Sequence, residues 1–441
     1  MTPPPDRVAR TMLSRHSLEL ISCTTIQTLW AGYGQICAIT AKAMTDEAAK
    51  YLDQLFGVQV QVQSSSSSAG AGTGTVYPLI LKLISPPQQQ QNTAKGEDEG
   101  HLRKMLSYEV EQCFYSEVVP RFGGDGVAVA GCLASTREMT GSENGAEELD
   151  DGLMAIIMVD LRVKYPVAGE KRSVLSAVQV HGALDWLAGF HGRSWSLLLQ
   201  LPDRLDAYVL PPLEEARRRR RRQEGSKKNS AGSGLWLNGG YTYLATRRKE
   251  YESLARDTYS EWSDALCKNP TGSSMSIAEM VALFLTPCGR PVESYIHGDV
   301  KSENLFTTKD GDEVAFFDFQ YVGLGLGVCD LAKLFTCSVP LDMLVDDAGG
   351  PLPEQLEMCD GEKELLQRYR SGLIKYREAT SYEWSTFRRH WETALVDWCR
   401  FQASWGFWGN TEWLEARVRS IVSDQEWRDW LGQEIEGRIY E

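Results

Sequence analysis

Ten residues, His297-Gly298-Asp299-Val300-Lys301-Ser302-Glu303-Asn304-Leu305-Phe306, set an aspartate five positions before an asparagine. Fourteen positions past Asn304, a second aspartate opens Asp318-Phe319-Gln320 at the end of the apolar run Val314-Ala315-Phe316-Phe317. Phosphoryl transfer from a nucleotide needs such a set. The group in flight carries its charge on peripheral oxygens, so a protein catalyses the reaction by bringing cations to it and orienting one nucleophile. In that chemistry Asp299 accepts the proton of the attacking hydroxyl, while Asn304 and Asp318 hold Mg²⁺ on the phosphates. Between the two halves lie Thr307-Thr308-Lys309-Asp310-Gly311-Asp312-Glu313, a hairpin-length gap with Asp-Gly as its turn. An isolated His-Gly-Asp is common, and its bland meaning is a surface loop with turn-capping carboxylates; the full spacing is much rarer. Lys301 adds a cation two residues past Asp299, able to meet the phosphate, although a loop lysine is solvated by default.

With Asp330-Leu331-Ala332 twelve residues beyond Asp318, this set resembles the aminoglycoside phosphotransferase and choline kinase superfamily. The His-Gly-Asp opening and Gln320 are most similar to its ecdysteroid-kinase-like branch of small-molecule kinases. The resemblance implies an α+β, bilobal protein-kinase-like fold, with an N-lobe antiparallel sheet plus helix and a larger, mostly helical C-lobe. It also implies ATP and Mg²⁺ as cofactors and a small-molecule hydroxyl as acceptor. Residue by residue, it implies that Asp299 is the base, Asn304 and Asp318 the metal ligands, and Asp330 a brace of the catalytic loop. Gln320 stands where protein kinases carry glycine, and no segment like their Ala-Pro-Glu follows. Both departures speak against a switch-regulated protein kinase.

Such a site needs a lysine on a strand to hold phosphates and a helical glutamate to hold the lysine. Tyr77-Pro78-Leu79-Ile80-Leu81-Lys82-Leu83-Ile84 is an apolar β-run with one lysine, costly to bury without a partner. Lys42 competes, but it lies only eight residues past Gly34, too close for two strands to intervene. The partner belongs on the helix expected over Leu102–Val119, where Glu111-Gln112-Cys113-Phe114-Tyr115 resembles the family's Glu-x-x-Phe-Tyr; Glu111 is favoured and Glu109 is the alternative. Gly32 and Gly34 stand ahead of Lys82 as a reduced glycine loop, equally readable as a plain hairpin turn. Strands are expected at Val127–Ala130 and Leu153–Leu161, and Met158-Val159-Asp160-Leu161 resembles the segment that joins the lobes and meets the adenine. A helix over Val174–Phe190 is expected to end at His191-Gly192, with His191 as a C-terminal cap.

At 441 residues with 42% hydrophobic content, the chain is long enough for two lobes, drawn at 1–160 and 161–441. Met1–Arg7 has no apolar signal core, and no apolar run is long enough to cross a bilayer. Ten scattered cysteines without Cys-x-x-Cys pairs suit reduced thiols and a cytoplasmic location, with neither a disulfide framework nor a zinc site. Ser64–Gly74, Pro86–Gly100 and Thr140–Gly152 read as low-complexity insertions. The run Arg217–Arg222, with Lys227 and Lys228 nearby, suits a solvated insertion better than a nucleic-acid or nuclear-localisation patch, because a net charge of −14 repels polyanions. Trp384, Trp391, Trp398 and Trp405 recur every seven residues. They form one helical stripe, either a core seam or an aromatic wall near the acceptor, with Glu392 or Asp397 at hand for a cationic group. A catalytically silent nucleotide-binding module and a protein kinase are the competing functions.

Overall fold

The structure, a computed structural model, describes residues 3–57, 75–87, 98–122, 127–139, 149, 152–198, 207–224, 234–239, 241–377 and 381–439. The expected insertions at Ser64–Gly74, at 88–97 within Pro86–Gly100 and across most of Thr140–Gly152, together with Lys227 and Lys228, lie outside the described residues. The chain forms two compact units, Met1–Asp125 with Val129–Lys164, and Gly126–Ala128 with Tyr165–Glu441.

The first unit is built on an antiparallel sheet of β1 (Leu18–Thr28), β2 (Gly34–Ala43), β3 (Val76–Ile84), β4 (Cys132–Ser135) and β5 (Met154–Val159), in the order β1-β2-β3-β5-β4. Alternation along β3 explains its place at the centre. Tyr77, Leu79, Leu81 and Leu83 are buried on one face, and Lys82 falls on the other. The β1–β2 turn demands glycine at Gly34, where φ is +146° and a Cβ would lie 2.1 Å from the Leu83 carbonyl oxygen. The helix Glu99–Cys113 is capped by the Asp98 side chain, which accepts from Gly100 N at 2.9 Å, and it continues as a wider turn over Phe114–Val118. A helix over Asp46–Phe56, with Thr45 capping its start and Gly57 in the left-handed region ending it, was not anticipated.

Two expected elements are corrected. Val127–Ala130 is not a strand; the strand is Cys132–Ser135, and the Ala128 carbonyl accepts from Trp186 Nε1 at 2.9 Å instead of from a ladder partner. The helix expected to stop at His191-Gly192 runs from Ala177 to Leu198. Gly192 is there for packing, not termination: a Cβ would come within 2.3 Å of the Tyr376 ring. His191 is accordingly no cap.

In the second unit, β6 (Val167–Ala168), β8 (Leu305–Thr307) and β9 (Val314–Phe316) make one small antiparallel sheet, while β7 (Glu293–Ile296) pairs with β10 (Gly323–Leu326). The remainder is largely helical. The four tryptophans share the single helix Trp384–Trp405. Trp391 is fully buried, edge-on to Phe335, and donates to Glu362, which also pairs with Arg417 at 2.9 Å. Trp405 is 49% exposed. Trp384 is half-buried, so the core holds the middle two of the four; a seven-residue repeat drifts about 20° per heptad on a 3.6-residue helix, and both ends of such a stripe leave the core. Arg217–Arg222 lies in the helix Pro212–Glu224, where buried Glu215 pairs with Arg218 and Arg219 and the other four arginines of the run are exposed. Among the described residues no helix is long and apolar enough to cross a membrane.

Candidate active site

In the first unit, Lys82 Nζ lies 2.6 Å from Glu111 Oε2, with the two side chains 7% and 3% exposed. Ladder pairing fixes Lys82 opposite Ile36 on one side and Ile156 on the other, and the Lys82 ammonium also sits 5.8 Å from the Tyr108 ring centre. Lys42 instead pairs with Glu19 near the far end of β2. Gly32 (φ +73°) and Gly34 flank Tyr33 in the β1–β2 turn, where Ala31 is also left-handed at φ +56°. Exposed Trp30 in this turn stacks against Lys104 Nζ at 4.4 Å. Asp160 follows β5, but its carboxylate is spoken for: it accepts from Arg162 N at 3.0 Å and pairs with the Arg162 guanidinium at 2.7 Å.

In the second unit, Asp299, Lys301 and Asn304 come together. Asn304 Nδ2 donates to the Asp299 carbonyl at 2.8 Å and to Asp299 Oδ2 at 2.9 Å, and Lys301 Nζ bridges Asp299 Oδ2 and Glu303 Oε1 at 3.1 Å each. Burial works against the Lys301 charge, but the Asp299 and Glu303 carboxylates outweigh it and hold the ammonium well above its ordinary pKa. Both Asn304 donations use Nδ2, which leaves Oδ1 as the atom of this side chain able to meet a metal. Asp318 is joined to this loop by the Phe317 N–H donating to the Asn304 carbonyl at 3.0 Å. It is itself left-handed (φ 66°, ψ 60°), a backbone strain of about 1–3 kcal/mol of the kind kept at functional sites. Gln320 Nε2 donates to Asp318 Oδ1 at 2.6 Å, so this glutamine orients the aspartate. A carboxylate and an amide oxygen suit Mg²⁺, a hard cation that takes few protein ligands and completes its shell with waters and phosphates.

The loop is held from below by groups the spacing did not fully announce. Asp330, fully buried, accepts from His297 N at 2.6 Å and Gly298 N at 2.9 Å, and His191 Nε2 lies 3.1 Å from it. Burial raises the Asp330 pKa, but the His191 hydrogen bond and charge, then Lys333 and His297, outweigh it and hold the carboxyl below its usual range. Lys333 donates to the Gly298 carbonyl at 2.5 Å. His297 accepts the Asp299 N–H at Nδ1 (3.2 Å) and donates from Nε2 to the Phe317 carbonyl (2.9 Å). It is a neutral tautomer, its pKa lowered by burial against the opposing pull of Asp330 and Asp299. Gly298 takes φ +82°, and a Cβ there would strike the Tyr321 carbonyl at 2.3 Å. Lys333 was missed by sequence reading; its signal was the three-residue spacing from Asp330 on one helix. His191 was found but given the wrong task.

A sheet carrying a buried lysine–glutamate pair, followed by a helical unit with an Asp-Asn loop and an Asp-bearing hairpin, defines the protein-kinase-like class of fold. The chain belongs to the ecdysteroid kinase-like family, a family of small-molecule phosphotransferases, whose model matches residues 48–349. No curated protein matches it. Among solved structures it is similar to the macrolide 2′-phosphotransferase of Brachybacterium faecium (12% identity over 94% of this chain and 97% of that one, TM-score 0.35). It is also similar to amicoumacin kinase, solved with AMP-PNP and Ca²⁺ (11%, 96% and 90%, 0.39), and to the ethanolamine kinase of Plasmodium vivax (10%, 97% and 86%, 0.35).

Proposed function

We propose that the protein is an ATP-dependent phosphotransferase acting on a hydroxyl of a small molecule. The observation that carries this is the Asp299 carboxylate, fixed at Oδ2 by Asn304 and Lys301 on a loop whose backbone is tied to buried Asp330. Fixed in this way, Asp299 takes the proton of the acceptor hydroxyl. The acceptor oxygen forms a bond to the γ-phosphorus as the bond to ADP breaks, and ADP leaves with that electron pair. Mg²⁺, held by Asn304 and Asp318, would neutralise charge on the phosphates. Lys301 adds positive charge beside the base, Lys82 holds phosphates, and Glu111 orients Lys82. The Gly32–Gly34 turn, whose Gly32 and Tyr33 N–H groups donate to the Leu29 and Trp30 carbonyls, lies against the nucleotide without supplying those two donors. The segment at Asp160 reads adenine through its backbone, because the carboxylate is committed to Arg162. Residues 1–160 thus serve the nucleotide, and 161–441 serve the metal, the base and the acceptor.

The test is thermal stability with Mg·ATP, with ATP and EDTA, and in Asp318→Asn and Asp299→Asn variants. A metal-dependent rise of several degrees is expected, lost in Asp318→Asn and kept in Asp299→Asn. No shift with any nucleotide in the unsubstituted protein overturns the reading.

A further inference from the structure

We infer that the acceptor held by the second unit is a compact, ring-bearing alcohol with an anionic group, and not an amine or quaternary ammonium; this rests on the phosphotransferase reading above. A cavity of about 260 Å³ opens beside Asp299 and is walled by Tyr241, Trp398, Trp405, Phe407 and Trp408. Its volume falls just below the roughly 300–1,000 Å³ range of small-molecule pockets, which suits a ligand of one or two rings. Trp405 and Phe407 are 49% and 39% exposed, an apolar surface left open beside the proposed base.

An aromatic wall by itself invites a cation, but on two of its five rings that role is already filled. The buried Arg247 guanidinium lies 4.6 Å from the Tyr241 ring centre and 5.0 Å from that of Trp405, anchored by a 2.7 Å bond to the Tyr241 carbonyl. The carboxylates of the cavity, Asp299 and Glu303, are likewise both taken by Lys301. Glu392 is bound by Arg388 and Arg389, and Asp397 by Arg400, so neither acidic group of the tryptophan helix is at the disposal of an ammonium. Four basic side chains line this cavity, in a protein whose net charge is −14; Lys301 is paired with Asp299 and Glu303 and Lys333 donates to the Gly298 carbonyl, so the positive charge left for a ligand is that of Lys171 and Arg172. Lys171 and Arg172 stand exposed with no ion pair among the described residues.

The probes are three compounds with one ring and one alcohol: para-(hydroxymethyl)benzoate, its methyl ester, and para-(hydroxymethyl)benzylamine. Binding is read from tryptophan fluorescence without nucleotide, and transfer from phosphorus NMR with Mg·ATP. The benzoate is expected to bind about tenfold tighter than the amine, and to weaken with added salt while the ester does not. Lys171→Glu with Arg172→Asn, both exposed and outside the catalytic set, is expected to loosen the benzoate about tenfold and the ester less than twofold. Equal binding of acid and ester, tightest binding of the amine, or indifference to the double substitution overturns the inference. Transfer to the amine in preference to the acid overturns it while leaving the phosphotransferase reading intact. Anion-selective binding with no transfer to any probe supports an anion-binding cavity and counts against phosphotransfer.

Discussion

Lys82 and Asp299 are each held by an opposite charge, but the two units hold them by different means. Lys82 sits on a central strand and Glu111 on a helix, so regular backbone alone sets both ends of their 2.6 Å pair. Asp299 sits on a loop, and its position depends on bonds from within the loop and on a buried carboxylate thirty-one residues away, Asp330. In the first unit the proposed functional groups and the stabilising groups are therefore the same two side chains. In the second they are separate, with Asp299 facing a cavity and Asp330 sealed beneath it.

This contrast is open to direct attack. Asp299→Asn is expected to cut turnover about 10²–10⁴-fold with little change in melting temperature, as read by ADP release and calorimetry. A large loss of stability in that variant would erase the separation claimed for the second unit. Asp330→Ala should do the reverse first, costing about 3–5 kcal/mol in denaturant unfolding, because two backbone N–H groups and His191 lose their buried partner. Lys82→Met should cost a similar ~3–5 kcal/mol by removing the buried countercharge of Glu111, and Lys82→Met with Glu111→Leu should recover most of that stability without recovering nucleotide-dependent activity. Failure of the double variant to recover would mean that the pair is not the self-contained element described.

A smaller effect is set by pH. His297 is lowered by burial, and His390 is lowered to about 3, mainly by burial and then by Arg290 and Arg438. Each binds its proton more weakly folded than unfolded, so the unfolded state takes up more protons as pH falls. Their contribution is fully present above about pH 6.5 and is lost as pH drops toward the folded values. Melting temperature should fall progressively from about pH 6.5 downward, and His390→Gln should flatten that slope. The smallest contrast lies in the β1–β2 turn. Gly34→Ala should cost more than Gly32→Ala, whose added Cβ meets nothing nearer than 4.0 Å, and the latter should stay near 1 kcal/mol.

Local chemistry made several features legible in advance. Asp-Gly at 310–311 required a turn, and the structure places Gly311 at φ +78° between β8 and β9. The apolar run at 77–84 with one lysine required a strand and a buried partner, and Glu111 supplies it. The Trp384–Trp405 repeat required one helix, because a period near 3.6 leaves no other regular form. What failed also failed locally. Val127–Ala130 looks as strand-like as Cys132–Ser135, and only the Trp186 indole, fifty-eight residues on, decides that the Ala128 carbonyl leaves the ladder. His191-Gly192 looks like a helix end until Tyr376 is seen to need the glycine's missing Cβ.

Sequence by itself therefore determined the class of fold and picked out Lys82 with Glu111 and Asp299 with Asn304 as side chains that meet, because residue type, spacing and period act over short stretches of chain. Tertiary structure alone decided what the loop stands on and what its cavity favours. The bonds of Asp330, His191 and Lys333, and the stacking of Arg247 on Tyr241 and Trp405, join residues that no period or motif connects. Charge at the cavity is a sum over such distant neighbours, so it exists only once the chain has folded.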